Sequence, residues 1–322
     1  INMEMEAKKI ALPKGKYATR KAYGNGLVEA FSRFPEIVAL DGEVSNSTYA
    51  EIFKENYPNN FFEMYIAEQN MVGAALGLSL RGKIPFVSSF AAFLTRAFDQ
   101  IRMTQYSDTN IKFVGSHAGV SIGADGPSQM GLEDIAMFRT LIGGVVLYPS
   151  DAISTIKLIK KVASYKGNVY IRTTRMDLPT LYNFTDDFEI GGSKTLKHSP
   201  EDRITVCAAG ITLHETLKAY EILKEENIYL RVIDLYSIKP VDYATLLKAK
   251  RETRAIITVE DHYAEGGLGE AVCNALSQEN IPVYLMAVGK TPRSGEPEEL
   301  LEYENISSEA IVKKAREIIE GG

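Results

Sequence analysis

Cysteine is nearly absent. Cys207 and Cys273 are the only two in 322 residues, and they stand far apart with no CxxC pairing, so neither a disulfide framework nor a zinc cluster is indicated. A reducing, cytoplasmic setting is expected. Long apolar runs are missing as well: no stretch approaches the roughly 18 residues of a membrane span. Met3 to Lys9 sets acids beside lysines where a signal peptide would turn apolar. The reading is a soluble chain that is not exported and has no membrane partner. Positive charge is not in excess, since 36 Lys and Arg stand against 42 Asp and Glu, a net charge of −6. That gives no general attraction to phosphate backbones, and no local basic patch offsets it, so nucleic acid is not an expected partner. Short repeats and low-complexity tracts are lacking too.

What is present is ordinary globular composition, 45% apolar and 24% charged, in a length that suggests two domains, each able to bury its own core. Short runs rich in Val, Ile, Phe and Tyr alternate with helix-period segments from end to end, the pattern of an α/β fold with mainly parallel sheets. Strands are expected near Ile37 to Asp41, Phe61 to Ile66, Ile84 to Ser88, Ile111 to Gly115, Val145 to Tyr148 and Val169 to Arg172. Between them, apolar residues at three- and four-residue spacing predict helices over Tyr23 to Phe34, Asn70 to Arg81, Phe93 to Ser107 and Ile153 to Tyr165, the last started by Pro149-Ser150-Asp151. Pro179, Gly191-Gly192 and Pro200 break the pattern and mark a linker, which places the domains at 14–190 and 191–322. A second α/β unit follows, with strands near Ile204 to Ala209, Leu230 to Leu235, Ala255 to Val259 and Val283 to Ala287.

Ligands of parallel α/β sheets bind beyond the carboxyl ends of the strands. In the first domain those ends carry Asp41, Glu43, Ser45, Asn46 and Ser47; then Glu68, Gln69 and Asn70; then Ser88, Ser89 and Phe90. Ser116 and His117 follow, with a glycine-rich loop bearing Asp125 and Gln129, and finally Arg172 to Arg175. The second domain has one comparable cluster, Glu260-Asp261-His262 followed by Gly266-Gly267-Leu268-Gly269. The first domain is therefore the candidate site. A purely structural role stands beside each residue: a helix dipole favours Glu68 at a helix start, Phe90, Phe93 and Phe98 suit a core stripe, and Arg20 and Arg175 suit surface ion pairs. The loop from Gly115 to Gly131 lacks GxxxxGK[ST], and Gly267 to Gly269 does not complete GxGxxG. Adjacent residues at a strand end diverge, which gives Glu260-Asp261-His262 an interface role over a metal site.

Ile66-Ala67-Glu68-Gln69-Asn70-Met71, Phe90-Ala91-Ala92-Phe93 with Arg96-Ala97-Phe98-Asp99-Gln100-Ile101-Arg102, Gly115-Ser116-His117 and Gly123-Ala124-Asp125-Gly126-Pro127-Ser128-Gln129 resemble transketolase. So do Thr19-Arg20-Lys21-Ala22-Tyr23-Gly24, Asp41-Gly42-Glu43 with Asn46-Ser47-Thr48, and Glu260-Asp261-His262-Tyr263 with Glu265-Gly266-Gly267, in order along practically the whole chain. Leu40-Asp41-Gly42 and Ala124-Asp125-Gly126 are present, but the Gly-Asp-Gly…Asn motif of the family's diphosphate- and metal-binding N-terminal domain is not. The resemblance is to the pyrimidine-binding and C-terminal domains alone, and implies the C-terminal subunit of a split transketolase or else an excised fragment.

The resemblance implies thiamine diphosphate as cofactor, with Mg²⁺ or another divalent ion held mainly by an N-terminal partner subunit, assembly into a heterotetramer, and sugar phosphates as substrates. It implies that Glu68 bonds the cofactor's pyrimidine and promotes the tautomer that takes the proton from thiazolium C2, with Phe90 and Phe93 packing on the ring. Gln129 and Glu43 match positions near the cofactor, Glu43 being one methylene longer than the family's usual aspartate. His117 and Asp125 match residues that hold the sugar hydroxyls and reacting carbonyl, and Arg20, Ser47 and Arg175 match the grip on the terminal phosphate. No metal ligand is assigned to this chain. The nearest rival, the β subunit of a 2-oxo acid dehydrogenase E1 component, shares the plan and cofactor but has no sugar phosphate to hold. A 1-deoxyxylulose-phosphate synthase fragment, a non-catalytic subunit and a dinucleotide oxidoreductase are weaker rivals.

Overall fold

In the computed structural model residues 15–321 are described. Met3 to Lys9 and Lys14, the first residue of the expected first domain, lie outside the described residues. Five of the expected first-domain strands stand next to one another in parallel, in the order Val145–Leu147, Val169–Arg172, Lys112–Ser116, Ile84–Phe90, Ile37–Asp41, with Phe61–Glu63 parallel at the edge. Their near-continuous apolar sequences follow from burial on both faces, and all five residues of Ile37–Asp41 are buried. Helices cover the sheet. Thr19–Phe31 packs on Ala152–Ser164, where the Asp151 carboxylate accepts from the Ser154 amide and the Ser154 side chain bonds back to the Asp151 amide, closing a capping box. Gly26 allows the close approach, since a Cβ there would lie 3.2 Å from the Ile156 backbone.

A second sheet runs Val283–Val288, Ala255–Tyr263, Ile204–Ala208, Leu230–Asp234, Lys194–Lys197, parallel except for Lys194–Lys197. The chain then returns to the first sheet, where Ser237–Lys239 pairs antiparallel with Val145–Leu147 as its seventh strand. A short antiparallel pair joins Lys16–Ala18 to Asp177–Pro179.

Three expectations need correction. The single helix expected over Phe93 to Ser107 is a 3₁₀ turn, Phe93–Ala97, then an α-helix, Phe98–Thr104, then a second 3₁₀ turn, Gln105–Ser107. The Thr95 hydroxyl donates to the Ala92 carbonyl at 2.6 Å, the local bond with which threonine competes against helix formation. The strand expected to reach Ile66 ends at Glu63, because Tyr65 takes a left-handed φ of 54° and turns the chain toward the next helix. The strand expected to end at Val259 runs on to Tyr263, with a register shift against its neighbour, so Glu260, Asp261 and His262 lie inside it.

Candidate active site

The carboxyl end of the first sheet is organised first by a buried acid. Asp41 accepts from the Thr48 and Ser88 hydroxyls, each at 2.7 Å, and from the Val44 amide at 2.8 Å. These bonds fold the 42–48 turn back on the strand end. Burial raises the Asp41 carboxyl to about 6, against the lowering pull of its hydrogen bonds.

Glu68 opens the Glu68–Leu80 helix and is buried. Its Oε1 accepts from Arg96 Nη1 at 2.7 Å, and that guanidinium lies 4.4 Å over the centre of the Phe93 ring. Phe93 stacks on Phe90 at 5.1 Å, and Phe90 stacks on the His117 imidazole at 3.7 Å, both pairs within 13° of parallel. Glu68, Phe93, Phe90 and His117 thus form one contiguous run with Arg96 as its link. An open depression beside Glu68 is lined by Ile66, Ala67, Gln69, Asn70 and Arg96.

At the far end His117, with φ of 54°, sits at the neck of the glycine-rich loop, and its Nδ1 lies 3.0 Å from the Ser116 hydroxyl. Desolvation, helped by the positive charges of Arg20 and Arg175, pushes its pKa down to about 3, so the ring is neutral at physiological pH. Arg175 pairs with Asp125 at 3.2 Å and donates to the Ile122 carbonyl at 2.8 Å. Arg20 reaches Ser47 through that residue's backbone oxygen at 2.8 Å and lies over the Tyr49 ring, while its buried Nε has no partner. Burial lowers the Arg20 pKa, and the like charge of Arg175 adds to that. The Ser89 and Ser121 hydroxyls are also buried without partners.

Two expected residues stand apart. Glu43 is exposed with φ of 64°, its amide donating to Glu63 Oε1 at 3.0 Å. Gln129 ends the Pro127–Gln129 turn half-buried, and its side chain bonds to none of the others. Arg96 and Asp41 are organising residues to which the sequence alone gives no role. An arginine one turn beyond Phe93 was the available signal for the first, and for the second the hydroxyls of Thr48 and Ser88 were too remote in sequence to suggest it. Among the described residues, no group of three or more His, Cys, Asp or Glu is placed to hold a metal ion, and no helix is long and apolar enough to cross a membrane.

Comparison with known proteins matches residues 15–180 to the family model "Transketolase, pyrimidine binding domain" and residues 193–311 to "Transketolase, C-terminal domain". The chain is 51% identical over 305 residues to transketolase-like protein 2 of Mus musculus, and 50% identical over 307 residues to transketolase of Homo sapiens. Each match covers 94% of this chain and 49% of the relative, so the chain spans about half the length of the curated relatives it matches. A solved structure described as a split gene transketolase, inactive beta4 tetramer, superposes with a TM-score of 0.85 at 39% identity, covering 94% of this chain and 98% of that one. With both of its domains matched in order, the chain belongs to the transketolase family, as its pyrimidine-binding and C-terminal domains.

Proposed function

We propose that this chain is the C-terminal subunit of a transketolase that moves a two-carbon ketol unit from a ketose phosphate to an aldose phosphate, together with an N-terminal subunit. The observation that carries the reading is the contiguous run from the Glu68 carboxylate through Arg96, Phe93 and Phe90 to His117, which feels the positive charges of Arg20 and Arg175. Such a run suits a nitrogen heterocycle at one end and an anionic sugar at the other. The split-gene structural relative, itself described as an inactive beta4 tetramer, supports a partnered assembly, which we take to be a heterotetramer in the cytoplasm. We retain the domain division at 14–190 and 191–322.

The residues present fit thiamine diphosphate: a buried carboxylate suits a pyrimidine nitrogen, and an aromatic pair suits the ring. Glu68, Phe90 and Phe93 would hold that half, with Gln129 and Glu43 at its border, while the diphosphate and Mg²⁺ would be held mainly by the partner subunit. When bound, the cofactor supplies a carbon nucleophile and an electron sink. Glu68 shares a proton with the pyrimidine nitrogen through a carboxylate oxygen. His117, neutral and stacked, hydrogen-bonds the sugar at its reacting end, with Asp125 on a neighbouring hydroxyl. Arg20, with its unpartnered buried Nε, joins Ser47 and Arg175 on the terminal phosphate. That grip argues against the oxo-acid dehydrogenase reading, whose substrate has no phosphate.

The test is ketol transfer from a pentulose phosphate to a pentose phosphate with thiamine diphosphate and Mg²⁺, for this chain alone and mixed with an N-terminal transketolase subunit. Transfer only in the mixture is expected. Appreciable transfer by the chain alone would refute the shared site, and decarboxylation of a 2-oxo acid without transfer would move the chain to the rival family.

A further inference from the structure

We propose that Asp261, acting through Arg172, is a positioning residue for the loop from His117 to Gly131, so that the second domain sets the substrate side of the site. What that loop holds rests on the function proposed above. Arg172 ends its strand fully buried. Its Nε donates to Asp134 at 2.9 Å, its Nη1 to Asp261 Oδ1 at 2.7 Å, and its Nη2 to the carbonyls of Gly131 at 2.9 Å and Asp261 at 3.1 Å. One planar fork thereby ties a first-domain helix start, the neck of the loop and a second-domain strand into fixed mutual geometry. Tyr148 donates its hydroxyl to the same Asp261 carboxylate at 3.1 Å.

The loop itself is applied to the second domain by its glycines. Its neck is closed by the Gly119 amide on the Gly131 carbonyl at 2.8 Å and the Gly131 amide on the His117 carbonyl at 3.2 Å. Gly119, with φ of 83°, lies so close to Asp261 that a Cβ would stand 1.8 Å from Oδ2. A Cβ on Gly126 would stand 2.5 Å from the Ser294 hydroxyl, and one on Gly123 would stand 3.1 Å from the Gly295 carbonyl. His117 and Asp125 ride on this loop.

The three neighbours in the Glu260-Asp261-His262 triplet divide the work. Glu260 accepts from the Leu268 and Gly269 amides and holds the start of the Leu268–Ala275 helix. His262 Nε2 accepts from the Ala136 amide across the domain seam. Of the three, Asp261 is the one bonded to the arginine that clasps the loop. A buried ion pair adds little net stability over apolar packing, so its value here lies in orientation.

The test compares Asp261→Asn and Gly119→Ala with wild type, using amide hydrogen exchange in the full chain and kinetics in the assembly with the N-terminal subunit. Exchange at the amides of positions 119 and 131 is expected to quicken about tenfold in both variants while the Glu68–Leu80 helix is unchanged. The KM for the ketose phosphate donor is expected to rise roughly tenfold or more, with half-saturation by thiamine diphosphate as in wild type. Unchanged loop exchange in both variants overturns the proposal. So does equal loosening of loop and helix, the mark of a merely structural role, and so does a faster loop with an unchanged donor KM. Because exchange needs no turnover, it decides the loop's positioning even if the wild-type assembly transfers nothing, the outcome that removes the proposed function instead.

Discussion

Arg96 binds the Glu68 carboxylate at 2.7 Å while lying 4.4 Å over the Phe93 ring, so one half-exposed cation joins the acid of the site to its aromatic pair. The ring fixes the plane of the guanidinium, and the guanidinium fixes one carboxylate oxygen. The other oxygen is left to a ligand in the proposed reading. The pair is asymmetric, since the Glu68 carboxylate is buried while the Arg96 guanidinium is half exposed.

Arg96→Met keeps the aliphatic stem over Phe93 and removes the charge. Because the buried Glu68 carboxylate loses this partner, unfolding free energy is expected to fall by about 1 to 3 kcal/mol, the range for leaving a buried acceptor unmet. Ketol transfer in the assembly is expected to fall roughly tenfold as Glu68 loses its fixed orientation. Denaturant titration and steady-state kinetics check both, and an unchanged rate would show that Glu68 needs no help from Arg96.

Glu68→Gln retains the shape of the side chain and removes its ability to share a proton. Loss of about 10²- to 10⁴-fold in transfer is expected, the range for a general acid–base group, with assembly unaltered in sedimentation. Exchange of the cofactor's C2 proton for deuterium should slow to match. Normal exchange would sink the role given to Glu68.

His117 is buried with its pKa pushed down to about 3, whereas an unfolded histidine titrates near its ordinary value of 6.5. Above that value both states are neutral and the residue makes no pH-dependent contribution. As pH falls through 6.5 toward 3, the unfolded chain takes up a proton that the folded chain refuses, so stability is lost in that window. His117→Asn, which tolerates the left-handed backbone at this position, should lose less stability than wild type between neutral pH and pH 5. Equal losses in the two proteins would show that His117 is accessible to protons in the fold.

The alternation of apolar runs and helical periods was readable because it is local, and the strands at Ile37–Asp41 and Val169–Arg172 stand where it placed them. The 3₁₀ turn at Phe93–Ala97 escaped because a helical stripe does not reveal one hydroxyl competing for a backbone carbonyl. Ser237–Lys239 escaped because nothing in three residues states that they will leave their own domain's sheet and complete the other. Within the site, Glu68, Phe90, Phe93 and His117 could be named from motifs. Their stacking through Arg96 could not, since Arg96 lies 28 positions from Glu68.

Legible in the residues alone were the α/β architecture, most of the parallel strands, the concentration of acids, arginines and one histidine at a single sheet edge, and the family to which the chain belongs. These follow from periodicity and from residue words that need no partner to be read. The tertiary structure alone decided which charges meet: Arg96 with Glu68, Arg175 with Asp125, and Arg172 with both Asp134 and Asp261. The reason is physical. A charge finds its partner through space, so the partner is set by which strand ends, helices and, for Arg172 and Asp261, which sheets the fold brings together, not by distance along the chain.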